Sequence, residues 1–353
     1  MPTRYHPDRD ALAELLAGEP RYRVDQVWQG LYEHLTDPEG ITNLPKGLRA
    51  RLASELPAAL EPAAESVSDD GATVKWLWRL ADGASVETVL MHYPERATVC
   101  VSTQAGCAMA CSFCATGQAG FERHLTTGEI VEQAVVAART ARDSGRRLSN
   151  VVFMGMGEPL ANYDATWGAV ERLHGAVGLS ARHLTISTVG LVPGIERLTG
   201  EALPVNLAVS LHAANDELRD ELVPINRRYP IERLLEACGA YVEATHRRLS
   251  FEWALIDGVN DRDRDAVELS EVARAVRAHV NLIPLNPTPG YAVRGTPPDR
   301  VRAFRQRLED LGVNATVRRN RGTEIDAACG QLRANHEATP VRLRPGASRR
   351  RAG

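Results

Sequence analysis

Lysine is almost missing from this 353-residue chain: Lys46 and Lys75 stand against 40 arginines. Such a skew records a GC-rich coding bias, so no arginine counts as an RNA ligand merely for being arginine. Long apolar runs are missing as well. The first ten residues, MPTRYHPDRD, lack the apolar core of a secretory leader, which argues for a cytoplasmic protein. The longest uncharged stretch runs 25 residues from Ala97 to Phe121. Its Ser102, Gln104, Ser112, Gln118 and glycines would leave polar groups unsatisfied in hydrocarbon, so no membrane partner is expected. Cysteines number only six in a chain neither short nor secreted, which excludes a disulfide-stapled mini-domain.

What is present is ordinary for a globular protein. Apolar residues make up 44% and charged ones 25%, which excludes wholesale disorder. At ~150 residues per domain the length suggests about two to three domains. The net charge of -3 hides an asymmetry: residues 291–353 carry 14 arginines against six acidic residues, leaving residues 1–290 at -11. A basic end suits anions or RNA, whereas the acidic remainder would not bind RNA by charge alone.

The pattern changes along the chain. Residues 1–70 read as a small helical module, with Val24, Val27, Leu31 and Leu35 at helical spacing. Residues 71–96 alternate around Asp82-Gly83, a hairpin signal, and Trp76 and Trp78 there read as sheet packing rather than base-stacking platforms. Residues 97–290 alternate strand with helix. TVCVST, NVVFMGMG, LTISTVG, VNLAVSLH, LSFEWALID and HVNLIPLN are the six strands, and the capping box Thr126-x-x-Glu129 opens the first helix. The fold class is therefore α/β, a parallel sheet either open or curled into a partial barrel. Residues 291–335 form a carboxyl-terminal segment carrying Cys329, and 336–353 a basic tail with the composition of disorder. Chemistry in such folds gathers at the carboxyl ends of the strands. The cysteine loop, MGMGEP, STVG, SLH and PLNP all fall there.

Cys107, Cys111 and Cys114 form CAMACSFC, whose spacing lets three thiolates converge on one metal centre from a single loop. Two readings are open. Zinc wants four ligands, and Cys100 could supply the fourth. A 4Fe-4S cluster held by three cysteines leaves one iron open for catalysis. Cys100, however, falls in a strand pattern, ATVCVSTQ, and Cys238 in LLEACGAY reads as core filler. Small residues flanking the cysteines allow close approach to a bulky group. Gly155, Gly157 and Glu158 after the next strand read as a grip on an amino-acid ammonium group.

These motifs resemble the radical S-adenosylmethionine (SAM) superfamily. More narrowly, VETVLM, RATVCVSTQAGCAMACSFCATGQAGFERHLTTGEI, VVFMGMGEPLANYD, SLHAANDELRDELVPINRRYP and CGQL resemble the RlmN family, from about Arg21 to Leu332. The resemblance implies a partial (βα)6 barrel with a helical RNA-binding accessory domain, and methylation of carbon 2 of an adenine in 23S rRNA, with tRNA as a further candidate substrate. It implies Cys107, Cys111 and Cys114 as ligands of a 4Fe-4S cluster whose open iron chelates SAM. Gly157, Glu158, Ser187, Ser210, Leu211, His212 and Asn286 become SAM contacts. Where the family commonly has STSG this chain has STVG, so any role for a second serine is absent at Val189. From the residue alone, His212 has a plainer reading as a helix-entry hydrogen bond.

The resemblance further implies Cys329 as a methyl carrier, Cys100 as its redox partner and Glu87 as an acidic residue handling the proton. Electron-poor carbon 2 cannot attack a SAM methyl group, but the Cys329 thiolate can. A second SAM, cleaved by one electron from the cluster, would then yield the radical that activates the methylthioether. Addition to adenine ties protein to RNA, and attack by Cys100 releases product with a Cys100–Cys329 disulfide. Two SAM molecules, an electron donor and a thiol reductant are thus implied per turnover. The enzyme is expected to be a monomer. Arg318, Arg319 and Arg321 are candidate RNA contacts or ordinary fold-stabilising residues. Two rival functions stay open: carbon-8 methylation, the activity of the related Cfr enzymes, and a non-catalytic zinc-stabilised RNA-binding protein.

Overall fold

The computed structural model describes residues 2–68, 71–286, 294–318, 322, 325–327 and 331. Cys329, Arg319, Arg321 and the tail from 332 lie outside the described residues. Helices α1 (Arg9–Leu15), α2 (Tyr22–Tyr32) and α3 (Lys46–Glu55) open the chain. Val27 and Leu31 of α2 are buried, as their spacing suggests. The helical module is stitched to the α/β region. Arg172 donates to the Pro7 carbonyl and the Tyr32 hydroxyl, and the buried Glu132 carboxylate accepts the Ala59 N–H.

Strand β1 (Glu61–Val67) then pairs antiparallel with β2 (Thr73–Arg79), and β2 with β3 (Ser85–His92). Here sequence and structure differ, since the residue pattern places 61–67 in the helical module. Their exposure and the irregularity at Pro62–Ala64 hide the strand period, and pairing to β2 overrides weak local propensity. Trp76 and Trp78 are buried with ring centroids 5.7 Å apart, so they pack the sheet.

The parallel region begins with β4 (Arg96–Cys100), antiparallel to β3. A small hairpin, β5 (Gln104–Gly106) and β6 (Phe121–His124), frames the cysteine loop and the short α4 (Ala115–Ala119). Helix α5 (Thr127–Asp143) carries the expected capping box, with Thr126 accepting the Glu129 N–H. Next come β7 (Arg147–Phe153), α6 (Tyr163–Gly175), β8 (Leu184–Thr188), α7 (Val192–Thr199), β9 (Asn206–Ser210), α8 (Asp216–Leu222) and α9 (Ile231–Thr245). The chain goes on through β10 (Leu249–Leu255), α10 (Asp263–Ala275), β11 (His279–Pro284), α11 (Pro298–Asp310) and β12 (Ala315–Val317).

Among the described residues one sheet runs β1-β2-β3-β4-β7-β8-β9-β10-β11-β12, parallel from β4 onward and open at both edges. The fold is α/β as expected. The parallel strands are buried on both sides, with Val99, Val151, Ile186, Leu207, Phe251 and Val280 at 0–1% exposure. Cys238 on α9 is fully buried in this core. Among the described residues no helix is long and apolar enough to cross a membrane.

Candidate active site

The end of β4 is fixed before the cysteine loop starts. Buried Gln133 on α5 accepts from the Ser102 N–H (2.8 Å) and donates to the Ser102 carbonyl (2.9 Å). The Ser102 hydroxyl donates to the Glu87 carbonyl and accepts the Met156 N–H. One serine thus ties β3, β4 and the turn after β7. Gly157, at φ +103°, stands where a Cβ would lie 2.6 Å from Gln104, so packing as well as backbone conformation demands glycine.

A cavity of about 540 Å³ opens at these strand ends. It is lined by Cys107, Cys111 and Cys114, and also by Cys100, Gly157, Glu158, Ser187, Ser210, His212 and Asn286. Two expected residues stand elsewhere. The Leu211 side chain is buried in the core, and only its backbone serves the site, donating to the Glu252 carbonyl and accepting from Arg219. Glu87 is 1% exposed and does not line the cavity itself; it is ion-paired to Lys75 at 3.1 Å.

The lining groups are held by backbone. Glu158 accepts the N–H groups of Leu160 (3.0 Å) and Val189 (2.8 Å), and burial still pushes its carboxyl up to about 7. Val189 therefore takes part through its main chain, despite lacking a hydroxyl. The Ser187 hydroxyl donates to the Phe153 carbonyl at 2.7 Å, keeping its lone pairs for the cavity. His212 sits at φ +59°, and its Nδ1 accepts the Ala254 N–H at 2.9 Å. The proton is thereby assigned to Nε2, and burial with the neighbouring Arg219 lowers the imidazole to about 3. The helix-entry role falls to Asn215, which caps α8 by accepting the Leu218 N–H.

Arg219 does not stand out in the sequence. It is fully buried, and its guanidinium donates to the carbonyls of Leu211 (3.1 Å) and Val189 (2.6 Å) and to Asn226 Oδ1 (2.8 Å). It ties the loops after β8 and β9 together. Its only sequence signal is its place in DELRDEL, which reads as a solvated helix face.

Burial pushes the Cys107 thiol up to about 12 and Cys111 well above the usual range; Cys114 and Glu158 add to both. Cys107 and Cys111, both disfavoured as anions here, become stable thiolates only against cationic charge, which a bound metal centre would supply. Among the described residues no three His, Cys, Asp or Glu side chains are gathered tightly enough to form a single-ion site. The donor set fits a polynuclear cluster.

Residues 101–269 match the Radical SAM superfamily. A protein of Frankia casuarinae named "Probable dual-specificity RNA methyltransferase RlmN" is 54% identical over 95% of this chain and 82% of its own. Its namesake from Chloroflexus aurantiacus is 52% identical over 94% and 93%. A solved radical SAM methyltransferase from Sphaerobacter thermophilus superposes with a TM-score of 0.92 at 53% identity, covering 95% of this chain and all of that one. The chain belongs to the RlmN family. It is a radical SAM RNA methyltransferase, and its superfamily works with a 4Fe-4S cluster and SAM. Within this RlmN-family member, Arg318 bonds Glu252 (3.2 Å) and approaches the Met154 sulfur, so it braces the cavity wall.

Proposed function

We propose that this chain methylates carbon 2 of an adenine in 23S rRNA, and an adenine in tRNA, through a methyl group carried on Cys329. The dual-specificity name of the relatives supports two RNA classes. One observation carries the reading: Cys100 and Ala327, two residues before Cys329, line the same cavity as Cys107, Cys111 and Cys114. Cys107, Cys111 and Cys114 would hold the cluster. Gly157, Glu158, Ser187, Ser210, His212 and Asn286, with the Leu211 backbone behind them, would hold SAM. The bound cluster and SAM supply the one-electron chemistry that lets an unreactive ring carbon be methylated.

The protein's own residues do the rest. The Cys329 thiolate takes a methyl group by displacement and holds it as a thioether. Glu87 accepts the carbon-2 proton. Once the carbon carried on Cys329 is bonded to adenine carbon 2, the Cys100 thiolate attacks the Cys329 sulfur, forming an S–S bond as the sulfur–carbon bond breaks. The carbon keeps that electron pair and takes up a proton to become the methyl group, and external thiol later reduces the disulfide. Neutral His212 donates from Nε2 without adding charge to the site. Two SAM molecules are consumed per methyl transferred.

The test is anaerobic incubation with methyl-deuterated SAM and unmodified 23S rRNA fragments or tRNA. Coupled 5′-deoxyadenosine and 2-methyladenosine formation on both RNAs is expected. 8-Methyladenosine, or methylation without deoxyadenosine, would contradict the reading.

A further inference from the structure

Described residues 322 and 325–327 lie between β12, at one edge of the sheet, and Cys329. They are seated against β2, near the opposite edge. A Cβ on Gly322 would lie 2.9 Å from Thr73 Cγ2, and the Ala327 N–H donates to the Gly322 carbonyl, closing the turn. A polar bond fastens this turn to the sheet: Lys75 Nζ donates to the Asp326 carbonyl at 3.3 Å. The same ammonium lies 3.1 Å from Glu87 Oε1, and Lys75 itself is 2% exposed.

Register gives this position its meaning. Lys75 pairs with Val89 across β2–β3, and Val89 pairs with Cys100 across β3–β4. Directly paired residues share a face, so Lys75, Val89 and Cys100 form one row on the cavity side of the sheet, with Glu87 two residues along. Two strand spacings separate Lys75 from Cys100, about 10 Å. Cys329 is three residue steps beyond Asp326, a reach of at most about 11 Å. An anchor at Asp326 therefore sets which part of the row the Cys329 sulfur can reach. One of the chain's two lysines stands here, in a protein that otherwise uses arginine. A compact ammonium on a flexible stem serves a carboxylate and a carbonyl in a tight space where a planar fork does not fit as well.

We propose that Lys75 is a positioning residue for methyl transfer, its buried ammonium holding the Glu87 carboxylate and tethering the main chain that leads to Cys329. This rests on the roles of Glu87 and Cys329 given above.

The test uses the full chain, anaerobically reconstituted, as wild type, Lys75→Met and Lys75→Met/Glu87→Gln. The double variant buries no unpaired carboxylate, which guards against a folding failure. Hydrogen exchange of the peptide containing Asp326 reads the tether, and S-methylation of Cys329 with SAM alone reads the carrier. Both variants are expected to keep wild-type iron content, to exchange faster at that peptide, and to methylate Cys329 about tenfold more slowly or worse. Wild-type exchange and methylation rates in the double variant would overturn the tether. Wild type carrying no methyl group on Cys329 would overturn the carrier role, while faster exchange in the variants would still uphold the tether.

Discussion

The cavity has two walls built on different principles. The parallel wall, from β7 to β11 with the cysteine loop, holds its groups through neighbouring backbone. Glu158, Ser187, His212 and Arg219 each bond to main-chain atoms at strand ends. The antiparallel wall, β2 to β4, holds a buried ion pair and fastens a segment from about 250 residues further along the chain. A wall built from local turns can be changed one residue at a time, whereas one assembled across such a distance loses its parts together. The first wall suits binding a cofactor in one pose. The second suits the two-cysteine chemistry proposed for Cys100 and Cys329.

Substitutions should separate the walls. The largest effect is expected at the cysteine loop: Cys111→Ala should lose the cluster and lower methylation by about a thousandfold or more, since residues that act as a unit fail together. Iron analysis and absorbance check this. Glu87→Gln, on the other wall, should lose methylation with iron retained; iron loss there would erase the distinction.

Next comes Arg219→Met, which removes the donor to the Val189 carbonyl and the Asn226 amide oxygen and one of two donors to the Leu211 carbonyl. A stability loss of about 3 kcal/mol is expected in urea unfolding. A loss near zero would mean the loops after β8 and β9 support themselves.

Two pH slopes of opposite sign are expected in the cluster-free chain. His212 is held near 3 in the fold against 6.5 in the unfolded chain. The unfolded state therefore binds the proton first, and His212's contribution, complete above 6.5, is lost as pH falls toward 3. His212→Gln should flatten that acid limb. Glu158 is raised to about 7 from 4.5, so the fold binds its proton more tightly and stability declines as pH rises from 4.5 to 7. Glu158→Gln should remove that decline. Thermal unfolding across pH checks both.

The parallel wall was largely legible in the sequence because strand, turn and functional residue come as one short phrase. CAMACSFC, MGMGEP and SLH each hold their chemistry within a few residues of a strand end, and the structure brings them to one cavity. Arg219 was not legible, because nothing in a charged helix turn says that its guanidinium folds inward onto carbonyls. Nor was β1, whose exposed alternation is overwritten by Pro62 and two alanines. The Lys75 contact joins positions 251 residues apart, beyond any periodicity. Leu211 shows the converse: it sits inside a legible motif, yet its side chain turns to the core.

The account stands most directly on Cys100→Ala. Incubated anaerobically with SAM and unmodified RNA, this variant should accumulate protein joined covalently to an adenine through the methyl carbon on Cys329, mapped by peptide and nucleoside mass spectrometry. Continued multiple turnover, or a crosslink through any other residue, would contradict it.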